Sequence, residues 1–306
     1  METAIRLSKV SKRFGNVMAV HDLDLDVPVG SLYGFIGPNG SGKTTTLRMI
    51  MHILLPDQGT VEVLGSRNTA AAHDLVGYLP EERGLYKKMT VRRLLLYYGQ
   101  LKGARAVDLN RDITSWLERM GLSDWADKKI DTLSKGMAQK VQFISCVVSR
   151  PKLVILDEPF SGLDPVNADV LKDAVLSLRK DGSTVVFSTH DMGVAERLCD
   201  RIFMIHKGKK VLDGTLDQIQ TQYGRDTIRV RTSDGADSLA DINGVEEVND
   251  QGNVQEVRFR GNPQTLLQQL IDRTTVLQFE IARPSLHEIF VRIAAPEKEV
   301  DFHAMA

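Results

Sequence analysis

The sequence predicts an α/β fold built on a parallel sheet and followed by a second, smaller α+β domain. Three observations carry that expectation. The apolar stretch SLYGFI runs into the glycine-rich GPNGSGKTTT and on into the helical pattern TTTLRMIMHIL. The apolar run of KLVILDEPFSGLD ends in two adjacent carboxylates, and it has the length and composition of a strand buried on both faces of a parallel sheet. Near Gly224 the pattern changes to short strands interspersed with helices.

The bulk properties narrow the possibilities further. A chain of 306 residues is about two domains long, enough for a sizeable core. With 39 Lys and Arg against 40 Asp and Glu, the net charge is -1, so no basic surplus speaks for nucleic acid. Cys146 and Cys199 both lie in apolar periodic segments, which suits buried thiols in a reducing compartment better than a disulfide framework. No run approaches the roughly 20 apolar residues of a membrane span, and residues 1–30 lack the apolar core of a signal peptide. The chain is not expected to cross a membrane by itself, and the cytoplasm is the default compartment.

The first element to justify is the glycine loop. Gly37, Gly42, Lys43 and Thr44 fit G-x-x-x-x-G-K-[ST], with a strand before and a helix after, as that motif requires. Its glycines let backbone N–H groups turn inward onto an anion, and the following helix adds its positive N-terminal end. Lys43 then reaches β- and γ-phosphates, and the Thr44 hydroxyl suits a Mg²⁺ ion. The competing reading is an ordinary glycine-rich turn. In the second strand, Asp157 is suited to hold Mg²⁺ through its water shell, and Glu158 to polarise a water for in-line attack on the γ-phosphate. A lone Asp-Glu at a strand end is commonly just solvated; paired with a phosphate loop it reads as a site. STVVFSTHD is a third strand, with His190 at its C-terminal end, where an imidazole could hydrogen-bond the γ-phosphate or orient the water. In TLSKGMAQKVQFISCVVSR, Ser134 and Gly136 precede a helix carrying Val141, Ile144, Val147 and Val148 on its apolar face; read alone, Ser134 is an N-cap.

The order of these parts, a phosphate loop, an LSGGQ-like segment, an aspartate-glutamate strand followed by S-G-L-D, and a histidine strand, resembles the ATP-binding cassette (ABC) ATPases over roughly the first 215 residues. The resemblance implies a P-loop NTPase cassette at residues 1–223 that binds ATP and Mg²⁺. Phe14 then matches the aromatic that stacks on adenine, with a core phenylalanine as the alternative. Gly37, Pro38, Asn39, Gly40, Ser41, Gly42, Lys43, Thr44 and Thr45 match the Walker A segment. Asp157 and Glu158 match the Walker B aspartate and catalytic glutamate, Ser161, Gly162, Leu163 and Asp164 the D-loop, and His190 the switch histidine. Leu133 to Met137 match the signature, whose serine and glycine bind the γ-phosphate held by the opposite subunit, so two nucleotides are expected between two cassettes.

Two segments depart from the family pattern. In the signature, Lys135 replaces a glycine and Met137 a glutamine, while Ser134 and Gly136 remain. The lysine either adds positive charge near the γ-phosphate or points to solvent. After the strand in VGYLPEERGLYKKMTV, Glu81 stands where the family has glutamine; a carboxylate can ligate Mg²⁺ but cannot donate a hydrogen bond.

Residues 82–150 are rich in helical periodicity and resemble the family's helical subdomain, whose cleft receives a helix of the membrane subunit. Tyr86, Lys87 and Met89 are candidate contacts there, an exposed polar loop being an equal description. Residues 224–306 are expected to form the α+β domain. Pro284 and Ser285 open a last helix with Leu286, Ile289, Phe290 and Ile293 on one face; an amphipathic docking helix is a better reading than a metal site at His287 and Glu288. This extension, with LPEERGLYKKMTV and LSKGM, resembles the ATPases of bacterial ABC-2 type exporters, including sodium-extrusion systems.

The resemblance implies an ATPase on the cytoplasmic face of a bacterial membrane, partnered by a permease and by a second cassette, either another copy or a close paralogue. It implies no nucleic-acid partner. A DNA-acting mechanical ATPase would carry a long coiled coil between Lys43 and Ser134, and a translation factor a second phosphate loop; neither is found. A cytosolic ATP-binding switch is the remaining alternative, and the retained Glu158 and His190 weigh against it.

Overall fold

A computed structural model describes residues 2–67, 73–82, 84–223 and 227–294. The chain divides into two compact units, Met1–Gly214 and Thr215–Ala306. In chain order the first unit begins with β1 (Thr3–Phe14), β2 (Val17–Pro28), β3 (Leu32–Ile36), α1 (Lys43–Ile50), β4 (Gln58–Val63) and β5 (Val76–Leu79). Then come α2 (Val91–Leu101), α3 (Ala106–Arg119) and α4 (Lys135–Val147). It closes with β6 (Leu153–Asp157), α5 (Pro165–Lys180), β7 (Thr184–Thr189), α6 (Met192–Leu198), β8 (Arg201–His206) and β9 (Lys209–Gly214).

β3 lies inside a six-stranded sheet of order β5-β6-β7-β3-β8-β9, parallel except at the β8–β9 pair. Every residue of β3, β6 and β7 is buried, which accounts for the apolar stretches LYGFI, LVIL and VVF within them. Alternation along the strands sorts the core into two layers. Tyr33, Phe35, Ile155, Val186 and Phe203 pack with Leu47 and Met49 of α1 and with the inner side of an antiparallel sheet of order β2-β1-β4. Val154, Leu156, Val185 and Phe187 face the other way, onto apolar residues of α2, α3, α4 and α5.

The helices start where the sequence offers caps. Thr90, Ser134 and Asp164 each accept a hydrogen bond from the third backbone N–H beyond them, at the heads of α2, α4 and α5, and Pro165 supplies the first helical residue of α5. α1 is shorter than the pattern TTTLRMIMHIL suggests. His52 takes a left-handed φ of 52°, and the Arg48 carbonyl accepts from the N–H groups of both Ile53 and Leu54, which ends the helix. Cys146 and Cys199 are free thiols; burial pushes Cys146 up to about 12 and raises Cys199 as well. Among the described residues no helix is long and apolar enough to cross a membrane.

The second unit comprises α7 (Leu216–Gln222), β10 (Thr227–Thr232), β11 (Val245–Asp250), β12 (Gln255–Phe259), α8 (Pro263–Ile271), β13 (Val276–Ala282) and α9 (Leu286–Ala294). Its sheet is antiparallel, of order β11-β12-β10-β13. Ile228, Val230, Val257 and Phe259 pack with Leu266 and Leu270 of α8 on one face. The sequence pattern places the change of character after Tyr223, whereas the division falls before α7. The reason is local: α7 bonds forward, with Gln220 donating to the Pro284 carbonyl, Asp217 paired with Arg283, and Arg292 donating to the Tyr223 carbonyl. In α9, Leu286 and Ile289 are fully buried, while Phe290 and Ile293 are half-buried.

Leu270→Ala is expected to cost the second unit about 2–5 kcal/mol, the usual range for truncating a fully buried leucine. Urea unfolding of the full chain measures it, and an unchanged midpoint would show that α8 does not belong to this core.

Candidate functional site

The loop after β3 can form only from bare backbone. Gly37 has φ 155°, and a Cβ there would sit 2.2 Å from the Ile205 carbonyl oxygen. Gly42 has φ 110° and caps α1; its Cβ would lie 2.5 Å from the Ala19 carbonyl oxygen. Both contacts are below any tolerable approach, so a side chain at either position would force the backbone apart. The buried Lys43 side chain turns back into this loop, and Nζ donates to the carbonyls of Gly37 (2.7 Å) and Pro38 (3.2 Å). The start of α1 points free N–H groups toward the same loop.

β6 and β7 bring the acidic groups to that point. Asp157 is 1% exposed; its Oδ1 accepts from the hydroxyls of Ser188 (2.6 Å) and Thr44 (3.3 Å), and its buried Oδ2 has no hydrogen-bond partner. Glu158, the first residue past β6, has a left-handed φ of 50°, a conformation that costs a non-glycine residue about 1–2 kcal/mol. Its N–H donates to Ser188 Oγ at 2.9 Å, so one hydroxyl serves both carboxylate residues. Glu158 Oε2 lies 3.1 Å from His190 Nδ1, and Oε1 lies 3.5 Å from Lys43 Nζ, close enough for ionic attraction but not for a hydrogen bond.

These groups border a cleft of about 300 Å³, lined by Asn39, Gly40, Gly42, Lys43, Thr44 and Thr45 together with Ala19, Glu81 and Glu158. A second cavity of about 220 Å³ shares Glu81 and Glu158 and adds Asp157, Lys135 and Ser161. The unpartnered Asp157 Oδ2, the Thr44 hydroxyl and the Glu81 carboxylate form an all-oxygen donor set of the kind that suits Mg²⁺. Chemically, the arrangement offers a cation for a polyphosphate, oxygens for a hard metal, and a carboxylate beside an imidazole for removing a proton from water.

The remaining expected residues lie around this centre. Ser134 is exposed and accepts from the Met137 N–H at 3.3 Å, the N-cap arrangement. Gly136 packs near Asn167 and Leu163. Asp164 accepts from the Asn167 backbone (3.0 Å) and side chain (2.5 Å), which hold its carboxyl below the ordinary range. Phe14 ends β1 and is 47% exposed under Lys12 Nζ, which removes the core reading; it lines neither cavity. Tyr86 is 55% exposed and meets the rings of Tyr97 and Tyr98 of α2 at 6.0 and 6.4 Å. Lys87 is exposed and Met89 half-buried, and their carbonyls accept from the N–H groups of Asp131 and Ile130. In α9, the Glu288 carboxylate accepts from the Ser285 hydroxyl and backbone, closing that helix start.

Three supporting residues escape the motif reading. Ser188 is a fully buried hydroxyl in an apolar strand, and that mismatch within TVVFST was the signal available. Gln139 of α4 donates to the carbonyls of Pro159 (2.5 Å) and Ser161 (3.4 Å), tying the signature helix to the segment after Glu158. Gln142 donates to the Glu82 carbonyl at 3.3 Å, tying the same helix to the segment after β5.

The chain is similar to known proteins over nearly its whole length. Residues 20–161 match the family model described as ABC transporter, and residues 214–294 that described as ATP-binding protein DrrA1-3-like, C-terminal domain. The chain is 39% identical over 289 residues to the ABC transporter ATP-binding protein YhaQ of Bacillus subtilis, covering 94% of this chain and 97% of that one. It is 32% identical over 299 residues to the Nod factor export ATP-binding protein I of Burkholderia lata, covering 96% and 98%. It is 34% identical over 223 residues to the ABC transporter ATP-binding protein NatA of Bacillus subtilis, covering 70% and 91%. A solved structure of an ATP binding subunit of an ABC transporter matches with TM-score 0.68 at 30% identity, covering 72% of this chain and 94% of that one.

Ser188→Ala would leave a buried carboxylate oxygen and the Glu158 N–H without their shared partner. A loss of about 1–3 kcal/mol is expected, mainly from the unsatisfied Glu158 N–H, since Asp157 Oδ1 keeps the Thr44 hydroxyl; it is visible as a lower denaturation midpoint. Full retention of stability would mean that the hydroxyl is replaceable by water.

Proposed function

We propose, from the premise that this chain belongs to the family of ABC transporter ATP-binding proteins, that it hydrolyses ATP to drive a membrane-embedded export permease. The observation that carries the reading is Glu158, with one carboxylate oxygen beside Lys43 and the other on His190, at the mouth of a glycine loop. The polyphosphate takes the loop, and Lys43 exchanges its two carbonyl partners for β- and γ-phosphate oxygens. Glu158 accepts a proton from water as the water oxygen bonds to the γ-phosphorus. The bond from that phosphorus to the β–γ bridging oxygen breaks, and ADP leaves with the electron pair. His190 orients the Glu158 carboxylate. Thr44 and Asp157, with Glu81 beside them, would hold Mg²⁺, which supplies charge neutralisation on the phosphates.

The rest of the reading extends from the same premise. Phe14 stacks on adenine. Ser134 and Gly136, with Met137 beside them, meet the γ-phosphate held by a second cassette, and the D-loop Ser161 to Asp164 lies at that junction. Exposed Ser134 suits such a contact, as does Tyr86 with its neighbouring tyrosines for the permease on the cytoplasmic face of the membrane. The cassette takes in the unit Met1–Gly214, with a helical part at about 82–150, and the unit that begins at Thr215 is an accessory domain. Export is supported by the likeness to the Nod factor export ATP-binding protein.

Glu158→Gln is expected to keep ATP binding and lose about 10²–10⁴-fold in turnover, the range of a general base. Lys43→Ala should instead weaken ATP binding itself. Phosphate release and nucleotide titration separate the two, and near-normal hydrolysis by Glu158→Gln would remove that carboxylate from the chemistry.

A further inference from the structure

Two of the departures from the family's motif pattern, far apart in sequence, line one cavity. Glu81, just past β5, and Lys135, the first residue of α4, both line the 220 Å³ space that also holds Asp157 and Glu158. Their formal charges are opposite, and each stands where the family pattern has an uncharged residue. The cleft region then contains three carboxylates, Glu81, Asp157 and Glu158, against the ammonium groups of Lys43 and Lys135. Lys43 is committed to the loop carbonyls on one side.

Lys135 is laid into this position by its neighbours. Gly162 has a left-handed φ of 69°, and a Cβ there would be 3.0 Å from Lys135 Nζ and 3.5 Å from Cε. The lysine stem therefore crosses the bare face of that glycine, within its own chain. Gln139, one turn further along α4, bonds the Pro159 carbonyl and fixes the helix against the same segment.

We infer that Lys135 is a positioning residue in cis, which offsets the charge of Glu81 in the metal and nucleotide cleft and so sets the balance between binding a divalent cation and binding the polyphosphate. The inference rests on the cleft being the MgATP site. Without Lys135 the carboxylates attract a cation more strongly and repel metal-free ATP. With glutamine at position 81 the opposite holds. A unit charge on the wall of a partly solvated cleft changes such equilibria by about 3- to 10-fold, and salt reduces the effect.

The experiment is calorimetric titration of the full chain with ATP, in EDTA and in Mg²⁺, together with the Mg²⁺ half-saturation of phosphate release. Lys135→Ala should weaken metal-free ATP binding and lower the Mg²⁺ half-saturation, each by about 3- to 10-fold. Glu81→Gln should shift both the other way, and the double variant should return near the wild type in metal-free ATP binding, where no ligand oxygen is at stake. Lys135→Arg should keep wild-type values, and high salt should shrink every shift. If Lys135→Ala shifts neither quantity, or shifts both in the direction of Glu81→Gln, the pairing is overturned. A wild-type chain that bound no ATP at all would overturn the nucleotide reading itself, a different result from binding that ignores residue 135.

Discussion

Close approach of backbone to backbone at Gly37 and Gly42 governs the arrangement of everything around the cleft. With those Cβ positions empty, the loop fits beneath the Ile205 carbonyl of β8 and beside the Ala19 carbonyl of β2, and α1 starts with its N-terminal end over the strand ends. Lys43 is then the first helical residue and has the reach to return to the loop. Thr44 follows and meets Asp157 across the sheet. Two nearly buried carboxylates beside one another would each carry a desolvation penalty of several kcal/mol if unpaired. The Ser188 hydroxyl, Thr44, His190 and the nearby Lys43 ammonium offset that penalty in part. One carboxylate oxygen on each residue is left without a hydrogen bond, which is where chemistry can occur.

The parts of this site that could be read from the sequence are those held in short contiguous stretches. A glycine loop between strand and helix, and adjacent carboxylates ending an apolar run, are local statements about backbone freedom and burial. His190 could be placed at a strand end but its partner could not, because the 3.1 Å contact with Glu158 depends on the pairing of β6 with β7. Ser188, Gln139 and Gln142 stayed out of reach for the same reason: each acts through a bond to a residue 20 or more positions away. The meeting of Glu81 with Lys135 is likewise tertiary, a product of how α4 packs beside β5.

In the second unit, the buried strands and both later helices were visible as patterns, but β11 was not. Its sequence VEEVND is charged and almost wholly exposed, so burial left no periodic trace. It exists as a strand through edge pairing with β12, in register from Glu247–Arg258 to Asp250–Gln255 and shifted by a bulge before Val245–Phe259. The opposite face of the sheet from α8 carries charge, with Arg229 and Glu256 paired at 3.0 Å across neighbouring strands. α7 lies before the change in sequence pattern yet within the second unit, because its capping box at Thr215 and Gln218 is a helix signal only and says nothing of which neighbour the helix will join.

The Gln139 amide has a mechanical consequence. α4 is a stiff rod of 13 residues, and this amide is pinned to the peptide chain immediately beyond Glu158. Further along, Lys140 is pinned to the Met120 carbonyl and Gln142 to Glu82. A torque applied to the rod at any of these pins must either break hydrogen bonds or drag the backbone beside Glu158 with it. The fold thus contains a crank, with its handle among the helices and its shaft ending one peptide away from the carboxylate.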